Sequence, residues 1–100
     1  MADVTWTETV LQELNEIAEY IALDNPLAAR RLVAEVFGRA DYLKDFPTSG
    51  RIPPEFPDTV YREVVVAPCR IFYREDGDRV LVLHVMRQER ELCQYMLENG

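Results

Sequence analysis

Lysine is almost missing from this chain: ten of its eleven basic residues are arginine, and Lys44 is the only lysine. Eighteen acidic residues outweigh them, for a net charge of -7 and a pI near 4.6. A surface of that sign repels phosphate at long range, which excludes a nonspecific binder of DNA or RNA. The arginine bias suits planar, paired contacts rather than a diffuse cationic coat. Cysteine is also scarce. Cys69 and Cys93 are too few and too far apart for a zinc site or a CxxC redox motif, and no metal or cofactor is expected. No apolar run approaches the roughly 18 residues that a membrane span requires. MADVTWTETV lacks the basic stretch and apolar core of a secretory signal, so the expected place is the cytoplasm, with both thiols reduced and no membrane partner. Repeats and low-complexity tracts are absent. What remains is 48% hydrophobic and 29% charged over 100 residues, the composition of one globular domain spanning residues 1–100.

The β-rich stretch Val60–Arg87 organises the rest. It holds three runs, VYREVVVA, CRIFYRE and RVLVLHVM, interrupted first by Pro68 and then by Asp76-Gly77-Asp78. Val, Ile, Tyr and Phe dominate them, so they predict a three-stranded meander. Two registers compete at the second turn. Asp76-Gly77 at its centre would set Glu75 against Asp78 and Arg74 against Arg79. Gly77-Asp78 instead sets Asp76 opposite Arg79 and Phe72 opposite Leu83, and opposite charges favour it. Alternation then places Ile71, Tyr73, Val80, Val82 and His84 on a helix-covered face. Arg70, Phe72, Arg74, Leu81, Leu83, Val85 and Arg87 fall on the other. That second face mixes large apolar groups with arginine and reads as an exposed surface for a partner or substrate.

Ahead of the meander, Asp3–Trp6 alternates as a short strand. Thr7 suits a helix N-cap with Glu8 in the first turn, and Val10, Leu11, Leu14, Ile17, Ala18 and Ile21 recur at helical spacing to about Leu23. Asn25-Pro26 opens a second helix with Ala28, Leu32, Val36, Ala40 and Leu43 in its stripe, widened by Val33 and Phe37. The short connection makes an antiparallel helical hairpin. Phe46–Asp58, FPTSGRIPPEFPD, carries four of the six prolines and predicts a loop leading to the sheet. Gln88–Glu98 is helix-compatible, with Leu92, Tyr95 and Met96 on one side. The fold class is α+β: a short first strand and a two-helix hairpin packed on a mainly antiparallel sheet, then a terminal helix.

Three local motifs carry a resemblance across essentially the whole chain. Asn25-Pro26-Leu27-Ala28-Ala29 is an NP-x-A-A helix opening. Phe46, Pro47, Gly50, Arg51, Pro54 and Glu55 fit FP-x-x-GR-x-x-PE. Tyr61–Val66 leads into Arg70-Ile71-Phe72-Tyr73 as an "RE-hydrophobic … YRI-x-Y" pair, with Cys69 where tyrosine is common. In these the chain resembles the RelE/ParE toxin superfamily. The resemblance implies a toxin of a type II toxin–antitoxin module, neutralised in a hetero-oligomeric complex by an antitoxin from the same operon. It implies one of two targets, DNA gyrase for ParE-like members or mRNA on the ribosome for RelE-like members, and it leaves room for an antitoxin-binding member without toxicity.

A metal-free ribonuclease needs cations around the scissile phosphate and an acid–base pair for the 2′-hydroxyl and leaving oxygen. By resemblance Arg62, Arg70, Arg87 and Tyr95 would supply that set, with Arg62 and Arg70 projecting from adjacent strands onto one face. The sequence departs from the nuclease pattern at Val64, where a second lysine would help, at Gln88 beside Arg87, and at Gln94 beside Tyr95. Those departures and the acidic charge favour the gyrase reading, with Arg62, Arg70, Phe72, Leu81, Leu83 and Arg87 as partner-binding residues. Against these stand plainer readings. His84, the only histidine, reads as a hydrogen-bonded structural residue, and Arg74 and Arg79 as surface ion pairs. Arg51 fits loop fixing or ligand contact.

Overall fold

The Thr7 hydroxyl accepts from the backbone N–H of Val10 at 3.1 Å and opens the first helix, α1 (Glu8–Ala22). Asn25 repeats the device, accepting from the Ala28 N–H at 3.1 Å, with Pro26 at the start of α2 (Pro26–Tyr42). Each cap satisfies a donor that has no partner inside its own helix. The computed structural model describes residues 3–90. Preceding α1 is β1 (Asp3–Trp6), and after α2 come β2 (Arg62–Val66), β3 (Cys69–Asp76) and β4 (Arg79–Arg87). All four strands join one sheet in the order β1-β4-β3-β2, the meander antiparallel and β1 parallel to β4. The α+β expectation of a helical hairpin on a mainly antiparallel sheet is met. Gln88–Arg90 form a turn and a bend, and the rest of the expected terminal helix, with Tyr95, lies outside the described residues.

The helices cover one face of the sheet. Val10 and Leu14 of α1 and Leu32 and Val36 of α2 join Val64, Val66, Ile71, Tyr73, Val80 and Val82 in one core, with Ile17 and Ile21 packed at its margin. The turn between β3 and β4 is the charge-favoured one. Asp76 pairs with Arg79, their side chains meet at 2.8 Å, and Gly77 supplies the positive φ of +63° at the first turn position.

Further along, the ladder breaks step. Tyr73 pairs with Val82 but Phe72 pairs with His84, so Leu83 is an extra residue in β4. Strict alternation from the turn, which put Val85 on the outer face and His84 on the core face, therefore fails after Leu83. Val85 comes opposite Ile71 and enters the helix-covered core, and Met86 joins Phe72 in a second cluster. A single bulge residue reverses the inside–outside assignment of everything beyond it.

The outer sheet face is not exposed. Phe72, Leu81 and Leu83 are 0%, 8% and 1% accessible, and Phe56 and Tyr61 pack over the Phe72–Met86 cluster. The proline-rich segment is thus a covering layer on the chain's own sheet, where the sequence suggested a mere connector. Backbone and side-chain bonds anchor it at its start. The Tyr73 hydroxyl donates to the Pro47 carbonyl at 2.7 Å and accepts from the Gly50 N–H at 2.9 Å, while the Arg51 and Glu63 backbones exchange two bonds of 2.9 and 2.8 Å. Gly50 is required by closeness: a Cβ there would stand 2.5 Å from the Tyr73 hydroxyl and 2.8 Å from the Glu63 carbonyl.

Candidate functional site

Arg62 and Arg70 occupy opposite faces of the sheet, against the expectation that they share one. Arg62 pairs with Tyr73 on the helix side, whereas Arg70 pairs with Val65 and belongs with Phe72 on the loop side. The strands pair out of step by an odd number, so alternation sends the two guanidinium groups apart.

Arg70 is enclosed. Its side chain is 7% accessible and its five N–H donors are all used inside the chain. Nε and Nη2 donate to Glu63 at 2.8 and 3.0 Å, and Nη2 and Nη1 to Glu55 at 2.7 Å each. Nη1 also donates to the Arg90 carbonyl at 3.1 Å, and the guanidinium lies 4.9 Å from the Phe72 ring centre. Its hydrogen bonds to Glu55 first, then to Glu63, hold its pKa well above the ordinary arginine range. Glu63 is fully buried in the middle of β2, and its remaining oxygen capacity faces Arg51 Nε at 3.3 Å. Two arginines against two glutamates make a neutral cluster, which is what allows charge below a closed loop. This cluster escaped the sequence reading, although a glutamate among valines and a tyrosine in VYREVVVA was its signal: a carboxylate in a buried run needs a cation.

Arg62 has a different task. Its Nη1 donates to the Gly50 carbonyl at 2.9 Å, beside the Tyr73 hydroxyl that takes the Gly50 N–H. Both the N–H and the carbonyl of Gly50 are thereby held from the sheet. Arg87 ends β4 opposite Cys69, partly exposed, with Nε 2.7 Å from Glu89 and its guanidinium 5.8 Å from the Tyr20 ring centre. The Glu89 hydrogen bond raises the Arg87 pKa, and the same bond lowers that of Glu89. Arg87, Glu89, Glu16, Ile17 and Tyr20 line a cleft of about 430 Å³ between α1 and the end of β4. Arg87 and Arg62 stand at positions opposite Cys69 and Tyr73, four residues or about 13 Å apart along β3, and on strands either side of it. The fold therefore does not bring Arg62, Arg70 and Arg87 together.

The remaining candidates have local roles. His84 Nδ1 lies 3.2 Å from Glu13, whose other oxygen accepts the Val85 N–H at 3.3 Å, so α1 caps the β4 edge beyond the end of β1. Arg79 pairs with Asp76, as expected of a surface ion pair. Among the described residues Arg74 does not form one; it lies 5.8 Å over the Tyr61 ring, and its buried Nε finds no hydrogen-bond partner there. Cys69 is buried, and desolvation raises its pKa, which suppresses the reactive thiolate. Among the described residues no three His, Cys, Asp or Glu side chains gather as metal ligands, and no helix is long and apolar enough to cross a membrane.

This geometry can be set against known proteins. Residues 4–92 match the family described as ParE toxin of type II toxin-antitoxin system, parDE. The chain is 35% identical over 89 residues to "Toxin RelE2" of Caulobacter vibrioides, covering 87% of this chain and 92% of that protein. It is 39% identical over 89 residues to "Putative toxin Y4kP" of Sinorhizobium fredii, covering 85% and 90%. A solved structure titled "Chromosomal ParDE TA system from P. aeruginosa" superposes with a TM-score of 0.74 at 22% identity, over 89% of this chain and 98% of that one, and so shares the fold. A family match over residues 4–92, with two toxin relatives above 30% identity, agrees with the resemblance carried by the helix-opening, proline-rich and strand motifs: the chain belongs to the ParE toxin family of type II toxin–antitoxin systems.

Proposed function

We propose that this toxin acts on DNA gyrase by a protein–protein contact, not on ribosome-bound mRNA as a nuclease, and that its cognate antitoxin neutralises it. The observation that carries the reading is the commitment of Arg70. A phosphate-binding arginine must offer donors to the phosphate, and this one has none to spare. With Arg62 on the opposite face, the described residues hold no converging pair of these cations for charge developing on a scissile phosphate. The net charge of -7 adds an unfavourable field for approach to ribosomal RNA, and a protein target makes no such demand. Of the six residues suggested by sequence for partner contact, Arg87 has a partly exposed side chain that opens on a cleft with Tyr20, and that cleft is the place for the contact.

The test is induction of the chain without its antitoxin, with purified-component assays alongside. Gyrase supercoiling should fall while ribosome-bound mRNA stays intact, and antitoxin should restore supercoiling. Codon-spaced mRNA cleavage with normal supercoiling would overturn the proposal in favour of the nuclease.

A further inference from the structure

Glu13, Glu16 and Tyr20 recur on α1 at the spacing of one helical stripe, and that stripe faces the second half of β4. Glu13 is engaged by His84 and by the Val85 N–H. Glu16, a turn further on, has no cation of its own. The helix carries no basic residue, and Gln12, Glu13, Glu19 and Tyr20 stand three and four residues from it. Among the described residues its carboxylate makes no ion pair or hydrogen bond. Tyr20 completes the stripe on the wall of the Arg87 cleft and is 68% accessible.

The chain's own Arg87 shows what these walls hold. Its guanidinium lies 5.8 Å from the Tyr20 ring centre and its Nε 2.7 Å from Glu89, between an aromatic side chain and a carboxylate. Among the described residues only Nε is bonded, so both Nη groups remain for uncharged acceptors such as backbone carbonyls. Two carboxylates, Glu16 and Glu89, thus line the cleft against one arginine, which leaves it negative on a chain of net charge -7. The excess sits at Glu16, a turn from the accessible Tyr20 ring. A carboxylate beside an aromatic ring recognises an ammonium or guanidinium, by ion pairing and by attraction of the cation to the ring face. An acidic group entering the same cleft would meet repulsion from Glu16 and Glu89 together.

We propose that the cleft between α1 and the end of β4 receives an arginine or lysine side chain of the toxin's protein target. The cation rests on the Tyr20 ring and pairs with Glu16, while the Arg87 Nη groups donate to target carbonyls beside it. The target's identity rests on the gyrase reading; the sign of the group that it presents here follows from the cleft itself. Glu16 and Tyr20, neither of them a candidate from sequence, become contact residues together with Arg87. The acidic chain is also drawn toward such a basic patch at long range, which makes the association sensitive to salt.

Binding of the full chain to purified gyrase, measured at low and high salt alongside supercoiling, tests this. Wild-type affinity should fall as salt rises. Glu16→Lys should weaken binding by about tenfold or more, because it sets like charges against each other in the contact. Tyr20→Leu should weaken it by about tenfold, and Tyr20→Phe, which keeps the ring face, by no more than about twofold. Melting temperatures should stay unchanged, since both side chains are exposed. Glu35→Lys makes the same change of charge on α2, away from the cleft, and should leave affinity at high salt within about twofold of the wild type. Gyrase binding and inhibition that survive Glu16→Lys and Tyr20→Leu intact would overturn this contact and leave the gyrase reading standing. Tighter binding by Glu16→Lys would overturn it as well, by showing that the target presents an acid. A wild-type chain that neither binds nor inhibits gyrase would overturn the gyrase reading and this contact with it.

Discussion

Arg70 illustrates how burial changes what a side chain can do. On a surface its two glutamate pairs would contribute little, since exposed pairs are worth about 0–1 kcal/mol. Here the guanidinium is 7% accessible and Glu63 fully buried, so deleting the cation strands carboxylates beneath the loop. Arg70→Ala should therefore destabilise the fold by about 3–5 kcal/mol, as removal of one partner from a buried pair does. Urea melts would check this, and Arg70→Lys should recover only part of the loss, because one ammonium cannot grip two carboxylates side by side. A variant as stable as the wild type would mean that the cluster contributes nothing to the fold. Arg62→Ala provides the contrast. It forfeits one bond to the Gly50 carbonyl and should cost about 1 kcal/mol.

At the scale of elements, the proline-rich segment is the part whose role differs most from its appearance. It lacks periodicity and forms no helix or strand, yet its Phe56 packs over Phe72 and Met86 on the outer face of the sheet. Its attachment at Gly50 is tight enough to test. Gly50→Ala would drive a methyl group into the Tyr73 hydroxyl and the Glu63 carbonyl, and should cost about 1–3 kcal/mol as overpacking does. Tyr73→Phe frees the hydroxyl's space but leaves the Gly50 N–H and Pro47 carbonyl without that partner. Combined, the two changes should cost less than the sum of the singles, because the Phe variant removes the shortest of the three close approaches, while the ring carbon and the Glu63 carbonyl remain. Strict additivity in thermal melts would show that the segment moves away at no cost. The bulge at Leu83 works similarly: one extra residue sends Val85 inward and leaves its N–H at the sheet edge, where Glu13 of α1 takes it.

At the scale of the whole molecule, the Arg87 cleft stays open between α1 and the end of β4. Arg87→Ala should abolish growth arrest while leaving melting temperature unchanged, since its ion pair with Glu89 is exposed and weakly stabilising. Measuring arrest and melting on the same preparation separates contact from fold; persistence of full toxicity would exclude Arg87 from the target contact. The acidic charge is a property of this scale as well. It governs approach to phosphate, and says nothing about which residues meet inside.

What the sequence determined by itself is what depends on near neighbours. Thr7 and Asn25-Pro26 specify where helices begin, because a cap acts within three residues. Asp76, Gly77 and Arg79 specify the turn register, because cross-strand charges and a positive φ act across a few residues. The motifs of the helix opening, the loop and the strands identify the family. Only the tertiary structure decided that β1 lies parallel to β4, a pairing of segments about three quarters of the chain apart. It also decided that the loop covers Phe72, and that Arg70 spends its donors on Glu55 and Glu63. The physical reason is the same in each case. A side chain's periodicity tells which face it shares with its own neighbours, but a one-residue bulge can reverse that face, and whether the face meets solvent, ligand or the chain itself depends on segments remote in sequence.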